Sequence, residues 1–348
     1  MRVLLALAAA LAGCAPSPPS AGAELGTSRN PAPVEPQGHQ CLSHADVAPV
    51  LETLRRSAAA GVPQLVAADC LKRTYVAGPV RFVIWGPRGQ LHGKGSSATD
   101  PRPSTRCIDR ALALAHELAP FAATILGREA VRNAAMWRDP EVGAVSYVRC
   151  DPLDEPMFTS VGTMLHETNH ALAQGRCIFD FAAERELCLD LDPALPRGVI
   201  AIYARPPVTL DANARKWLAH VQTLYLERNG QGLLELLDEV VAYRATAEWT
   251  AIGLETNRFG ATGPPAYINL PLMMALITRY VNELAVRDPA LAAREFGPHG
   301  RNRAAVLDIL DGAEVSYQRW LRATKKPSSF ERTFWDDYQR GRQRWLRP

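Results

Sequence analysis

Residues 161–172 read Val-Gly-Thr-Met-Leu-His-Glu-Thr-Asn-His-Ala-Leu, and the five residues from His166 to His170 decide how the chain is interpreted. His166 and His170 are four residues apart, so on a helix both imidazoles leave the same face one turn apart. Two imidazoles at that spacing can bind one small cation. Glu167 is offset by one residue, which suits a carboxylate beside the cation rather than on it. The pattern predicts a helix that carries a metal site and a proton acceptor.

The flanking residues favour a buried helix, because Met164, Leu165 and Leu172 are apolar and nothing in the stretch breaks a helix. Gly162 with Thr163 is the predicted helix start. The five central residues resemble the His-Glu-x-x-His motif of the zincin metallopeptidases. The resemblance covers about a dozen residues. It implies a zinc hydrolase in which His166 and His170 bind Zn²⁺ and Glu167 is the general base.

A third protein ligand is expected, because catalytic zinc usually has three protein ligands and a water. The metzincin extension is absent, since Ala173 and Arg176 stand where it needs glycine and histidine, and the aspzincin stretch is also missing. The resemblance to gluzincins implies a glutamate from a later helix, and Glu239 is the leading candidate, with Asp238 second. Three acidic residues come sooner, in a cysteine-bracketed stretch that we predict to be a loop or short helix: Glu184, Glu186 and Asp190.

Glu239 lies in a predicted helix over residues 231–256 that is otherwise rich in leucine, valine and alanine. The polar stripe of this helix has four members: Glu235, Glu239, Tyr243 and Thr246. Burying a carboxylate costs several kcal/mol unless it is paired or binds a metal, which favours Glu239 as a ligand. The alternative is a polar edge formed by Glu235, Asp238 and Glu239 and paired with Arg244.

Two further side chains are candidates for stabilising an oxyanion. Tyr243 is one turn beyond Glu239, so its phenol can point into the same cleft, although tyrosine at such a position often only packs. His220 is the second candidate, with an ordinary surface or core histidine as the alternative.

The N-terminal residues resemble a bacterial lipoprotein signal. Met1-Arg2 is followed by an apolar run to Ala12, and Leu11-Ala-Gly-Cys14 has the form of a lipobox. The resemblance implies removal of residues 1–13 and lipid attachment at Cys14. Residues 14–40 are rich in proline, serine and alanine and are predicted to be a tether. Because Ala15 follows the cysteine, the resemblance implies an outer-membrane protein that faces the periplasm or the cell surface.

Six cysteines remain after Cys14, which is an even number typical of three disulfides in an exported protein. The favoured pair is Cys177–Cys188, which closes a short loop directly after the metal helix. Sequence order then gives Cys41–Cys70 and Cys107–Cys150, among 15 possible connectivities. A cysteine zinc site is disfavoured because the chain has no Cys-x-x-Cys pair.

The charge pattern does not favour nucleic acid, because the 348 residues have a net charge of only +3 and export is predicted. Arginines gather near the C-terminus, where we predict a solvated helix face, with contact to an anionic surface as the alternative. They are Arg340, Arg342, Arg344 and Arg347. No second apolar run long enough to span a membrane follows the signal.

The predicted fold class is α+β and zincin-like, with a small sheet packed on the active-site helix and a mainly helical second half. Strands are predicted at 65–76, 79–85 and 143–149, with Ala144–Val148 as a substrate-binding edge strand or an ordinary core strand. Residues 86–95 are predicted to be a hairpin or flexible loop. Helices are predicted at 105–118, 120–126, 128–138, 160–174, 211–228, 231–256, 270–287, 301–323 and 329–346. One domain, 41–348, would comprise a sheet-containing half, 41–175, and a helical half, 176–348.

Together these features predict a lipid-anchored zinc metallohydrolase of the cell envelope, with a peptide or protein as substrate. Two alternatives stay open at this point. One is a non-catalytic envelope protein that uses a zincin-like scaffold to bind peptidoglycan or a protein partner. The other is a hydrolase that acts on cell-wall amides by the same chemistry.

Overall fold

The computed structural model describes residues 48, 64–68, 72–77, 80–85, 90–97, 103–128, 137, 143–149, 154–173, 176–196, 206–223, 232–259, 265 and 267–347. Two compact units are present, Met1–Pro101 and Arg102–Pro348. The predicted signal and tether lie outside the described residues, as do Cys41, Cys70 and Cys150.

The first unit contains an antiparallel meander of four strands in sequence order. They are β1 (Gln64–Ala68), β2 (Lys72–Ala77), β3 (Val80–Trp85) and β4 (Gln90–Ser97). Lys72 faces Trp85 and Ala77 faces Val80 across the central pair, so a two-residue connection suffices between β2 and β3. The strand predicted at 79–85 is confirmed, whereas the one predicted at 65–76 is two strands. The packing of this sheet on the active-site helix stays a prediction.

The second unit is mainly helical. The described residues form nine α-helices here: α1 (Thr105–Leu118), α2 (Pro120–Gly127), α3 (Asp154–Leu172), α4 (Ala212–Gln222), α5 (Leu233–Glu255), α6 (Leu270–Arg287), α7 (Pro289–Phe296), α8 (Arg303–Thr324) and α9 (Ser329–Leu346). The coarse α+β class is therefore confirmed. Helix α3 begins at Asp154 and not at the predicted Gly162, and α7 was not predicted. The helix predicted at 128–138 lies mostly outside the described residues.

Side-chain caps explain where several helices begin. Ser104 accepts from the Cys107 amide at the start of α1, and Asp211 accepts from the Ala214 amide at the start of α4. Ser328 and Glu331 form a reciprocal capping box at the start of α9. Each of these side chains satisfies backbone N–H groups that a helix leaves without an internal partner.

Residues 143–149 form a short 3-10 turn, Ala144–Tyr147, so the strand and the edge-strand role predicted there are wrong. The Ser146 amide bonds to Gly143 O and the Val148 amide to Val145 O, at 2.9 and 3.1 Å. These local bonds occupy the groups that a strand would offer to a neighbour. The alternating residues at 143–149 led to a wrong prediction of a strand, because side chains on both sides of the turn are buried.

The cysteine-bracketed stretch is a β-hairpin and not the predicted loop or short helix. Strand β5 (Cys177–Asp180) pairs with β6 (Arg185–Cys188), and Cys177 faces Cys188 across the ladder. The two form the predicted disulfide, which is thus confirmed. Cys107 is also disulfide-bonded. The predicted pair Cys107–Cys150 stays a prediction because Cys150 lies outside the described residues.

Helix α5 is the centre of the second unit, where it packs against α3, α6 and α8. Its contact with α3 uses Phe158 and Trp249, whose rings stack with centroids 4.4 Å apart, and Trp249 Nε1 donates to Phe158 O. Gly253 allows this close approach, since a Cβ there would meet Phe158 and Phe259 at 2.4 Å. Helix α5 is buried on nearly all sides, so its few charged residues need partners inside the protein.

A buried ion pair joins the hairpin to α5 and α8. Arg244 Nη1 donates to Asp180 Oδ1 at 2.9 Å, and Arg244 Nε donates to Ser316 Oγ at 3.0 Å. A Cβ at Gly312 would lie 2.5 Å from the guanidinium, so a side chain at this position would have to displace the guanidinium. Arg244 therefore pairs with Asp180, and the pairing considered within α5 does not form.

None of the described helices has both the length and the apolar character that a membrane span requires.

Candidate metal centre

Helices α3 and α5 bring three side chains together that can each offer one ligand atom to a cation. The Nε2 atoms of His166 and His170 are 3.1 Å apart. Glu239 Oε2 is 3.5 Å from His166 Nε2 and 3.7 Å from His170 Nε2. The spacing within α3 aligns the two imidazoles, and the packing of α3 on α5 adds the carboxylate.

The distances fit a small metal ion. A triangle with these sides has a centre about 2 Å from each corner, which is the usual distance from zinc to histidine nitrogen and carboxylate oxygen. Glu239 is 4% exposed, and its Oε2 has no hydrogen-bond partner among the described residues. Because a buried carboxylate oxygen without a hydrogen bond is costly, a cation between these three atoms would account for its position.

The electrostatics of the cluster also favour positive charge. Burial raises the pKa of Glu239, but the facing imidazoles of His170 and His166 outweigh burial and lower it to about 2. Burial lowers the pKa of His170, but the charges of Asp238 and Glu239 outweigh it and raise the pKa well above its usual value. Two carboxylates therefore face two imidazoles in a buried place. A bound cation would neutralise the negative charge of the carboxylates.

Asp238 contacts a histidine rather than the ligand triangle. Its Oδ2 accepts from His170 Nδ1 at 2.7 Å, which places a proton on Nδ1 and leaves Nε2 facing His166 and Glu239. Carboxylates commonly hold metal-ligating histidines in this way. The structure thus places Asp238 behind the ligand set and not in it. The sequence could not show which of Asp238 and Glu239 faces the histidine Nε2 atoms, because this depends on how α5 is rotated about its own axis.

Glu167 has a partner that the sequence did not reveal. The hydroxyl of Tyr147 donates to the Glu167 carboxylate. The pKa of Tyr147 is raised, mainly by burial and further by the negative charge and hydrogen bond of Glu167. Tyr147 belongs to the 3-10 turn, which packs against α3. The sequence separation of Tyr147 and Glu167 does not predict this contact, because the contact depends on the path of the chain between the two residues.

Tyr243 lies beside the cluster. Its ring centroid is 4.5 Å from that of His166, and its hydroxyl oxygen accepts from Asn269 Nδ2 at 2.9 Å. Thr246, one turn along, has its hydroxyl 3.5 Å from His166 Nδ1. Three members of the predicted stripe therefore face α3, namely Glu239, Tyr243 and Thr246.

The remaining candidates lie elsewhere. His220 is exposed on α4, where its ring lies 5.4 Å from that of Trp217. The early acidic residues are exposed on or near the hairpin; Asp190 pairs with Arg176, and Glu184 accepts from Thr124. Cys177, Glu186 and Cys188 also cluster, but the two cysteines are bonded to each other and cannot act as thiolate ligands.

No protein-family model, curated protein or solved structure matches this chain.

Proposed function

We propose that the protein is a zinc-dependent hydrolase of amide bonds, and specifically a peptidase. His166, His170 and Glu239 would hold the metal, with Glu167 as general base. The observation that carries the proposal is the convergence of three ligand atoms from two helices on one point, with Glu239 Oε2 buried and without a donor among the described residues. When bound, zinc would supply a Lewis acid that polarises a carbonyl and makes a water more acidic.

Glu167 follows a ligand histidine directly and is half-buried, so its carboxylate can take a proton from an attacking water and later deliver it to the leaving amine. The hydroxyl of Tyr147 holds the carboxylate in place. A carboxylate has lone pairs on two oxygens, so this bond is compatible with proton transfer.

Asp238 and Tyr243 support the reaction from opposite sides of the cluster. Asp238 fixes the orientation and tautomer of His170. Tyr243 lies against His166 and can donate a hydrogen bond to the oxygen of the scissile carbonyl as negative charge develops there.

The proposed location is the cell envelope, with a lipid on Cys14. The lipobox-like sequence Leu11-Ala-Gly-Cys14 supports it. The Cys177–Cys188 disulfide also supports it, since such bonds persist mainly in oxidising compartments.

The test compares the full chain with Glu167→Gln, which keeps the side-chain shape but cannot accept a proton. Glu186→Gln is the matched control, because Glu186 is an exposed glutamate on the hairpin. Zinc content is measured by mass spectrometry, and cleavage is followed with fluorescein-labelled casein and with cross-linked peptidoglycan. We expect about one zinc in every variant and turnover only with Glu167 intact.

Four outcomes would contradict parts of the proposal. A wild-type chain without zinc would remove the metal site. Turnover retained in Glu167→Gln would remove the base role. Cleavage of peptidoglycan but not casein would replace the peptidase by a cell-wall amide hydrolase, and zinc binding without any cleavage would favour a binding protein.

A further inference from the structure

A chain of two hydrogen bonds leads from Trp217 on α4 to Tyr243 beside the metal cluster. Trp217 Nε1 donates to Asn269 Oδ1 at 2.8 Å, and Asn269 Nδ2 donates to the Tyr243 hydroxyl oxygen at 2.9 Å. Asn269 is buried, at 5% exposure. We call these three residues the Trp-Asn-Tyr relay.

The direction of the relay is fixed by chemistry. An indole N–H can only donate, so the atom of Asn269 that faces Trp217 must be the carbonyl oxygen. The amide nitrogen then faces Tyr243 and can only donate to it. The phenol oxygen is thus the acceptor in this contact, and its own proton points away from Asn269. Trp217 therefore determines, through one amide, the direction in which Tyr243 donates.

The position of Asn269 is unusual for a residue whose only role is structural. Asn269 precedes the first residue of α6, where asparagine is among the best capping residues, yet its side chain makes no capping bond. The preceding residue is held separately, because the Ile268 amide donates to the buried carboxylate of Glu331 at 2.9 Å. The segment is thus anchored by its backbone, and the Asn269 amide is used for Trp217 and Tyr243.

We propose that Asn269, oriented by Trp217, is a positioning residue that directs the Tyr243 hydroxyl toward the carbonyl oxygen of an amide substrate. The inference rests on the proposed function. It adds Asn269 and Trp217, which lie outside the metal cluster, to the residues that determine turnover. Tyr243 needs such direction because its ring already lies against His166, so a phenol proton turned toward Asn269 would be lost to the reaction.

The decisive variant is Asn269→Asp, which replaces the donor that faces Tyr243 by an acceptor of nearly the same shape. Tyr243 must then donate to the introduced carboxylate and turn its proton away from the substrate. We expect kcat on fluorescein-labelled casein to fall about 100-fold, the usual effect of losing one oxyanion donor, with KM and zinc content little changed. Trp217→Phe frees the amide to rotate, and we expect a smaller fall of about 10-fold.

Asn282→Asp is the matched control. Asn282 is on the same helix and half-buried, and it donates to the backbone oxygens of Thr278 and Gly341. This variant should lose stability, but kcat per folded molecule should stay at the wild-type value. A general loss of packing would lower kcat in both variants alike. If the relay positions Tyr243, kcat falls only in Asn269→Asp.

A second measurement needs no turnover. With [4-¹³C]tyrosine at fixed pH, Tyr243→Phe identifies the Tyr243 signal among the nine tyrosines. A phenol that donates to a carboxylate has its ring carbon shifted downfield relative to one that accepts, so the signal should move downfield in Asn269→Asp. Wild-type kcat in a folded Asn269→Asp chain, or an unmoved signal, would overturn the inference. If the wild type cleaves no amide, the proposed function fails, while the carbon signal still decides whether Asn269 sets the phenol direction.

Discussion

Two adjacent acidic residues of α5 make different contacts, and the difference comes from helix geometry. One residue along a helix is a rotation of about 100°, so Asp238 and Glu239 cannot face the same atom. Glu239 faces both histidine Nε2 atoms, whereas Asp238 reaches only the far nitrogen of His170. In the proposed site, Glu239 would therefore bind the cation, and Asp238 would hold one of the histidine ligands.

Isosteric amides separate these roles. We expect Glu239→Gln to lower zinc affinity far more than Asp238→Asn, because it removes a charged ligand atom. Asp238→Asn should cost about 10- to 100-fold, the usual effect of losing a group that supports a ligand histidine. Competition with a chromogenic chelator measures both. A larger loss of zinc affinity in Asp238→Asn than in Glu239→Gln would make Asp238 the ligand.

The sequence predicted some of these residues and not others, for physical reasons. His166, Glu167 and His170 follow from spacing on one helix, which is local information. Glu239 followed from the cost of burying a carboxylate in an apolar helix. The role of Asp238 and the contact of Tyr147 with Glu167 depend on how separate elements pack, and nothing in their spacing along the chain encodes this.

At the scale of elements, the contact of α3 with α5 sets the distance between the histidines and Glu239. Alanine is usually better than glycine inside a helix, by about 1 kcal/mol. At Gly253 the added Cβ would meet two aromatic rings at 2.4 Å, so overpacking outweighs this gain. We expect Gly253→Ala to destabilise the protein by about 1–3 kcal/mol.

Gly162→Ala is the control, because the nearest atom to a Cβ there is Cδ1 of Trp249, at 3.0 Å. It should cost less than Gly253→Ala in urea unfolding followed by circular dichroism. Equal midpoints for Gly253→Ala and wild type would show that α5 can shift without cost.

The hairpin after α3 gives a second prediction at this scale. Its disulfide closes a loop with a sequence separation of 11, for which chain entropy gives about 3 kcal/mol. The double variant Cys177→Ala/Cys188→Ala should lose about this much stability in urea and should bind zinc less tightly, because the hairpin follows the metal helix. Unchanged zinc affinity together with the lower midpoint would show that the hairpin stabilises the fold but not the site.

Element predictions succeeded where local signals were strong. The bounds of α1, α6 and α9 agree with the predicted ones, and α1 and α9 start at side-chain caps. The prediction failed at residues 143–149, where alternating side chains occur in a short turn buried on both sides. It also failed at α7, since a helix of only eight residues that begins with a proline gives little periodicity.

At the scale of the whole molecule, the proposed anchor at Cys14 and the proposed metal site on α3 and α5 are far apart in the sequence. We expect Cys14→Ser to move the protein from the membrane fraction to the soluble fraction without changing its zinc content, because the lipid would attach far along the chain from α3. Immunoblots of fractionated cells and metal analysis measure this. A variant that stays in the membrane fraction would refute lipid attachment at Cys14.

The buried pair of Arg244 and Asp180 has a consequence for related sequences. Losing either partner would leave an uncompensated charge in the interior, which typically costs about 3–5 kcal/mol. A side chain at position 312 would displace the guanidinium. Among related sequences we therefore expect positions 180, 244 and 312 to vary as a set. A relative with an apolar residue at 244 should also lack the acid at 180 and be free to carry a larger residue at 312.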